Sequence, residues 1–119
     1  MVSKRAKTRA YNKGFWAEFL AAWFLRFKGY RILHMRYKTG SGEIDIIARK
    51  RKLIAFVEVK ARAHVQSAVD AVSYSSQRRI SNAADIWLSR QRDANELSLR
   101  FDIIAIAPWK MPVHLKDAF

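Results

Sequence analysis

Apolar positions along the 119-residue chain fall into six blocks, and their spacing predicts the secondary structure. Two blocks repeat every three to four residues, as on a helix face, and four are short apolar or alternating runs typical of strands. The predicted elements, in chain order, are a helix over residues 14–28, strands over 30–37, 43–48 and 53–61, a helix over 76–92 and a strand over 99–107. Residues 63–75 are interpreted as a polar loop or a lead into the second helix. The tail through Val113 and Leu115 can add a short edge strand.

This order of elements predicts an α/β fold in which an α-β-β-β-α-β chain forms a mixed sheet flanked by helices. Because a helix joins the third strand to the fourth, we expect those two strands to be parallel. No linker interrupts the pattern, so residues 13–119 are predicted to form a single domain.

The first predicted helix follows a basic segment. Residues 1–12 carry Lys and Arg but no acid, and we expect them to form a disordered arm. Asn12 is a candidate N-cap for the helix, and Gly29 is a candidate stop. The helix is apolar on most sides, which predicts that it is largely buried. The tryptophans assigned to the core by helical spacing are Trp16, Trp23 and Trp87.

The charge of the chain favours an anionic partner. Twenty-three Lys and Arg face ten Asp and Glu, a net charge of +13 that suits nucleic acid, a ribosome or an anionic membrane surface. The chain has no cysteine, which excludes disulfides, thiolate zinc sites and cysteine nucleophiles. The apolar segment after the arm is shorter than the roughly 20 residues of a spanning helix, so we expect a cytoplasmic protein.

Two adjacent predicted strands combine acidic and basic residues on one face. Side chains alternate along a strand, so Glu58 and Lys60 share one face of theirs. A two-residue turn at either 50–51 or 51–52 would bring Asp45 to that face, whereas a three-residue turn would break the parity. The branched apolar residues expected together on the opposite face are Ile44, Ile46, Val57 and Val59.

This combination of residue types suits a metal-dependent phosphodiesterase. Mg²⁺ takes oxygen ligands and keeps several waters, so Asp45 and Glu58 could hold it with Glu18 as a third carboxylate. Lys60 could orient the attacking water or stabilise charge in the transition state. The competing interpretation is an exposed strand face with Glu–Lys cross-strand pairs, which are common and contribute little.

The remaining polar residues carry weaker signals. The three histidines lack the spacing of metal ligands, and the chain contains no Gly-rich phosphate loop. Asp102 lies in an apolar strand, where we expect a structural pair with Arg100 or another buried donor rather than a catalytic role.

Three segments carry a resemblance to a known family: Gly42-Glu43-Ile44-Asp45-Ile46-Ile47-Ala48, Phe56-Val57-Glu58-Val59-Lys60-Ala61-Arg62 and Arg100-Phe101-Asp102-Ile103-Ile104. Over roughly residues 13–107 the chain closely resembles the YraN family of small bacterial proteins. That family is similar to the PD-(D/E)XK nuclease superfamily, especially to archaeal Holliday-junction resolvases. The resemblance implies a restriction-endonuclease-like core with a helix before the sheet.

The resemblance also implies roles for single residues. Glu18 matches the acid of the first helix, Asp45 the metal-binding acid, and Glu58 and Lys60 the E-x-K pair. Gln77 matches a polar position that can contact phosphate. The chain departs from the family pattern at three positions: Ser76 stands where a basic residue is common, Gln66 where Gly is usual and Arg36 where Asn is usual.

The first functional hypothesis is Mg²⁺- or Mn²⁺-dependent hydrolysis of DNA, with branched or structured DNA among the candidate substrates. Asp45, Glu58 and Lys60 would act in catalysis, and the resolvase analogy suggests a homodimer. The basic residues predicted to contact nucleic acid, besides Gln77, are Arg49, Lys50, Arg51, Lys52 and Arg62. One alternative is a non-catalytic nucleic-acid-binding module of the same fold, and another is an adaptor for ribosomes or anionic surfaces.

Overall fold

The computed structural model describes residues 4–119, with side chains described from Gly14 onward. Its elements, in chain order, are α1 (Lys4–Phe27), β1 (Arg31–Lys38), β2 (Glu43–Lys50), β3 (Leu53–Ala61), α2 (Val65–Asp70), α3 (Tyr74–Ser89), a 3₁₀ turn (Ala94–Glu96), β4 (Ser98–Ile106) and β5 (Val113–Leu115). The strands form one sheet in the order β1-β2-β3-β4-β5, antiparallel except for the parallel pair β3 and β4. The predicted α/β fold, parallel crossover and short edge strand are confirmed.

Helix α1 begins at Lys4, ten residues before the predicted start at Gly14. Lys, Arg and Ala favour helix in the segment before Gly14, and a Gly in a helix interior costs only about 1 kcal/mol. The predicted stop is confirmed, since Gly29 has a φ of 92° and the Tyr30 N–H donates to the Leu25 carbonyl at 3.0 Å. Disorder over residues 1–12 stays a prediction, because residues 1–3 and all side chains before Gly14 lie outside the described part.

Two helices, rather than one, connect β3 to β4. The segment 63–75, interpreted from the sequence as a loop or a helix lead, contains α2. Helix α3 starts at Tyr74, two residues before its predicted start, because the Ser73 hydroxyl caps it by accepting the Ser76 N–H at 3.1 Å. Its predicted apolar face is confirmed, and Trp87 packs edge-on against Phe56 with ring centroids 5.8 Å apart.

The sheet is covered by α1 on one face and by α2 and α3 on the other, which gives two apolar clusters. Ile46, Val57 and Val59 share the α1 face, as predicted. The prediction for Ile44 is wrong, because this residue packs in the α3-side cluster. Pairing of β2 with β3 ends at Ile46, so β2 can twist away before that point and alternation no longer holds across it.

The prediction that α1 is largely buried is wrong for five of the six aromatic residues between Gly14 and Phe27; the sixth, Phe24, packs against the core. Between Gly14 and Phe27, small residues of α1 face the sheet, and Leu25 is the one large side chain that is fully buried. The rings that remain exposed are Phe15, Trp16, Phe19, Trp23 and Phe27. Helical spacing indicates which residues share a face, but burial also requires an element that packs on it. No helix within residues 4–119 is both long and apolar enough to cross a membrane.

Asp102 is completely buried in β4 and attaches the C-terminal segment to the sheet. It accepts two hydrogen bonds of 2.8 Å from Arg100, which confirms the predicted pair, and the His114 ring nitrogen Nε2 lies 2.8 Å away. The Asp117 N–H donates to the same carboxylate at 3.0 Å. Burial would raise the pKa of Asp102, but hydrogen bonds from His114 and Arg100 outweigh it and lower the pKa to about 2.

Candidate functional site

Strands β2 and β3 form a hairpin whose register brings the predicted site residues together. Lys50 pairs with Leu53, so the turn is Arg51-Lys52, one of the two turns that the sequence left open. The ladder continues to the pair Ile46 and Val57. Asp45 and Glu58 are the next residues of the two strands beyond this last pair, where the ladder has ended.

The strands and α3 enclose a cavity of about 150 Å³ at this point, which we call the acidic cavity. It is lined by Glu43, Asp45, Glu58, Lys60, Ser76, Arg79 and Ile80. The Lys60 Nζ lies 3.9 Å from the Glu58 carboxylate. The Val59 N–H donates to Asp45 Oδ2 at 2.8 Å, which fixes the Asp45 side chain across the gap between the strands. The structure thus places Asp45, Glu58 and Lys60 around one cavity.

The two central carboxylates are close together and shielded from water. Asp45 is 9% exposed, and the Glu58 side chain is 14% exposed. Burial, together with the hydrogen bond and the charge of Asp45, raises the pKa of Glu58 from 4.5 to about 9 against the opposing effect of Lys60. A proton therefore holds the pair together near neutral pH. The two carboxylates supply the hard oxygen ligands that a divalent cation prefers. A cation bound there would replace the proton.

Glu18 lies near these acids but does not line the acidic cavity. Its carboxylate accepts a 2.6 Å hydrogen bond from Arg36 Nε in a part-buried ion pair. Burial raises the pKa of Glu18, the Arg36 hydrogen bond lowers it, and the charge of Asp45 raises it. Within residues 4–119, no three acidic or histidine side chains converge as a ready metal site. The structure therefore brings together two of the three predicted metal ligands.

Arg36 is a residue that the sequence analysis did not assign to the site. It has a φ of 53°, a left-handed conformation that Asn tolerates better than most residues, and its guanidinium lies 5.3 Å from the centroid of the Phe15 ring. Such backbone conformations concentrate at functional sites. The one sequence signal was the departure expected from the resemblance, in which Asn is usual at this position.

Four lining residues had no predicted role in the site: Glu43 and Ile80, and the polar pair Ser76 and Arg79 on α3. Both reach the acidic cavity because α3 lies against the start of β2. A side chain at Gly42 would overlap the backbone carbonyl of Arg79, so the close approach of these two segments depends on glycine. The sequence showed two strands and a helix but not the distance between them.

The predicted nucleic-acid-binding residues lie elsewhere. The hairpin turn Arg51-Lys52, with Arg49 and Lys50 beside it, is at the other end of β2, about 20 Å from Asp45 at 3.3 Å per residue. Lys50 Nζ donates to the Lys28 carbonyl, and Arg49 contacts Asp93 at 3.2 Å.

The other two residues predicted to contact nucleic acid, Arg62 and Gln77, lie in different places from the hairpin turn. Arg62 is exposed just past the end of β3, two residues from Lys60. Gln77 lines a separate cavity with Phe101, and its amide donates to the Val72 carbonyl at 3.3 Å. The phosphate contact of Gln77 stays a prediction, and its neighbour Ser76 is the residue that lines the acidic cavity.

Comparison with known proteins places these elements in one family. The chain is 58% identical over 113 residues to a UPF0102 protein of Agrobacterium fabrum, covering 95% of this chain and 93% of that one. It is 59% identical to a UPF0102 protein of Sinorhizobium fredii, with the same two coverages, and 51% identical to one of Bartonella tribocorum, covering 99% and 91%. Residues 17–106, which hold the whole acidic cavity, match the uncharacterised protein family UPF0102. The resemblance to the YraN family is thereby confirmed, and the chain belongs to family UPF0102.

Proposed function

We propose that this protein is a Mg²⁺- or Mn²⁺-dependent nuclease that hydrolyses phosphodiester bonds in DNA, with branched or structured DNA among its substrates. The observation that carries the proposal is the pair of buried Asp45 and half-buried Glu58, with Lys60 beside it, at the point where β2 and β3 separate. A pure binding surface for phosphate gains nothing from two acids withdrawn from water. The PD-(D/E)XK resemblance of the same residues and the net charge of +13 support the same function.

Four residues around the acidic cavity have a defined task in this proposal. Asp45, fixed by the Val59 N–H, and Glu58, after loss of its proton, would hold the cation. When bound, the cation would acidify a water and neutralise charge on the scissile phosphate. The Lys60 ammonium would orient that water, and Arg79, which also lines the cavity, would neutralise phosphate charge.

Cleavage of plasmid, duplex and junction DNA in Mn²⁺ and Mg²⁺ tests the proposal. We expect products from the wild type and a loss of at least 100-fold in Lys60→Ala, with DNA binding in EDTA changed less than threefold. Lys52→Ala is the matched control, because it removes an exposed lysine of the distant hairpin turn. Equal cleavage by wild type and Lys60→Ala, or no cleavage by either, contradicts the proposal.

The second candidate is a non-catalytic nucleic-acid-binding module. The observation that favours it is the ion pair of Glu18 with Arg36, which leaves the acidic cavity with two of its predicted ligands. This candidate requires salt-sensitive DNA binding that is unchanged by Asp45→Asn and by divalent cations. Mn²⁺ binding that Asp45→Asn abolishes would exclude it.

A further inference from the structure

Four aromatic rings form a continuous exposed row along the outer face of α1, which we call the aromatic ladder: Trp16, Phe19, Trp23 and Phe27. Each ring contacts the next, with centroids 5.9, 6.4 and 6.5 Å apart. Trp16 is 60% exposed and Phe27 is 86% exposed. A contiguous aromatic surface of this kind marks a binding site in a soluble domain more often than a solvated face.

The charges beside the aromatic ladder are cationic. The guanidinium of Arg26 lies 5.0 Å from the centroid of the Trp23 ring. The guanidinium of Arg36 lies 5.3 Å from the centroid of Phe15, which adjoins the ladder, but its charge is balanced by Glu18. Arg26 therefore carries the net positive charge beside the rings. A second copy of the chain would bring the same cations against one another, whereas an anionic partner with flat apolar faces satisfies both features.

The position of the ladder relates it to the acidic cavity. Phe15, Phe19 and Glu18 line one cavity, and Glu18 is close enough to Asp45 for the two charges to interact. The other end of α1 meets the basic hairpin, where Lys50 Nζ donates to the Lys28 carbonyl at 2.9 Å. Along α1, the ladder therefore runs from the end near Glu18 and Asp45 to the end at the basic hairpin. Successive rings are three or four residues apart, so the rise of 1.5 Å per residue from Trp16 to Phe27 covers about 16 Å.

We propose that the aromatic ladder is a stacking platform for a single-stranded segment of nucleic acid, whose bases lie on the rings while its phosphates contact Arg26 and the basic hairpin. Base stacking on aromatic side chains is tolerant of sequence and is worth about 1–3 kcal/mol per base. Bases in a duplex are already stacked on one another and do not offer their faces. This inference rests on the proposed function and specifies its substrate as DNA with an unpaired segment next to the cleaved bond.

Fluorescence anisotropy of labelled 30-nucleotide single strands and matched duplexes, with the full chain in EDTA, tests the platform. We expect Trp16→Ala and Phe27→Ala each to weaken single-strand binding about fivefold or more. Duplex binding should change less than twofold, and Trp16→Phe should retain single-strand affinity. Tyr74→Ala, which removes an exposed ring at the start of α3, is the matched control and should leave both affinities unchanged. Thermal unfolding of each variant checks that the fold is intact.

Three results would overturn the platform. The first is single-strand affinity that is insensitive to the ladder variants, or that Tyr74→Ala weakens equally. The second is binding to phosphatidylglycerol vesicles that depends on the ladder while oligonucleotide binding does not. The third is a dimer in sedimentation that Trp16→Ala dissociates without any change in DNA affinity. These binding assays contain no divalent cation and so do not depend on cleavage. Ladder-dependent binding without cleavage would contradict only the proposed function, and cleavage without ladder-dependent binding would contradict only the platform.

Discussion

The guanidinium of Arg36 donates a 2.6 Å hydrogen bond to the Glu18 carboxylate and so joins the first helix to the edge strand beside Asp45. The pair neutralises the acid that the sequence assigned to a metal. We expect Arg36→Asn to tighten Mn²⁺ binding about two- to tenfold, because it removes a cation near the acidic cavity and frees Glu18. Isothermal titration measures this affinity. Arg31→Asn, at the far end of the same strand, is the control, and weaker Mn²⁺ binding in Arg36→Asn would contradict the assignment.

The raised pKa of Glu58 predicts an unusual dependence of stability on pH in the metal-free protein. Its pKa is raised from 4.5 to about 9 in the folded chain, so above pH 5 the unfolded state has lost a proton that the folded state still holds. The free energy of unfolding should therefore fall as pH rises between about 5 and 9, by at least about 1 kcal/mol from this group. Urea denaturation in EDTA at pH 5, 7 and 9 measures the slope. Glu58→Gln should flatten it, and parallel slopes in the two proteins would rule out the raised pKa.

The lowered pKa of Asp102 predicts that the free energy of unfolding falls as the pH becomes more acidic. Its pKa is lowered from 3.8 to about 2, so its stabilising effect is present above about pH 4 and is lost as pH falls through 2. We expect Asp102→Asn to reduce the free energy of unfolding at pH 7 by about 3 kcal/mol or more, because Arg100 is left without its buried partner. Asp93→Asn, which breaks a more exposed pair with Arg49, should cost less than about 1 kcal/mol. Similar losses in the two variants, compared by chemical denaturation, would count against a structural role for Asp102.

Gly42 and Gly40 form a matched pair that tests how α3 is positioned. A Cβ at Gly42 would overlap the Arg79 carbonyl, whereas a Cβ at Gly40 would meet nothing within 4 Å. We expect Gly42→Ala to destabilise the protein by about 2 kcal/mol and Gly40→Ala to change stability by less than about 0.5 kcal/mol. If the acidic cavity is catalytic, Gly42→Ala should also reduce cleavage, because it displaces Ser76 and Arg79. Equal stability of both variants would show that α3 does not need this close approach.

Local rules determined most of the secondary structure. Strand β3 has its predicted bounds, and the shared face of Glu58 and Lys60 follows from the alternation of side chains along a strand. The parallel pairing of β3 with β4 follows from the helical connection between them. Position in the chain was sufficient in each case, because neighbours along a strand or across a tight turn are also neighbours in space.

The tertiary structure alone decided how the site is completed and which surfaces are open. Arg36 reached Glu18, and Arg79 reached the acidic cavity, through contacts between elements whose separation no local pattern encodes. Trp16 and Trp23 have the helical spacing of a core yet are exposed. Spacing determines which residues share a face of a helix, but burial depends on whether another element packs there. That packing is a property of the folded chain as a whole, which is why the pair of acids was predicted from sequence and the aromatic ladder was not.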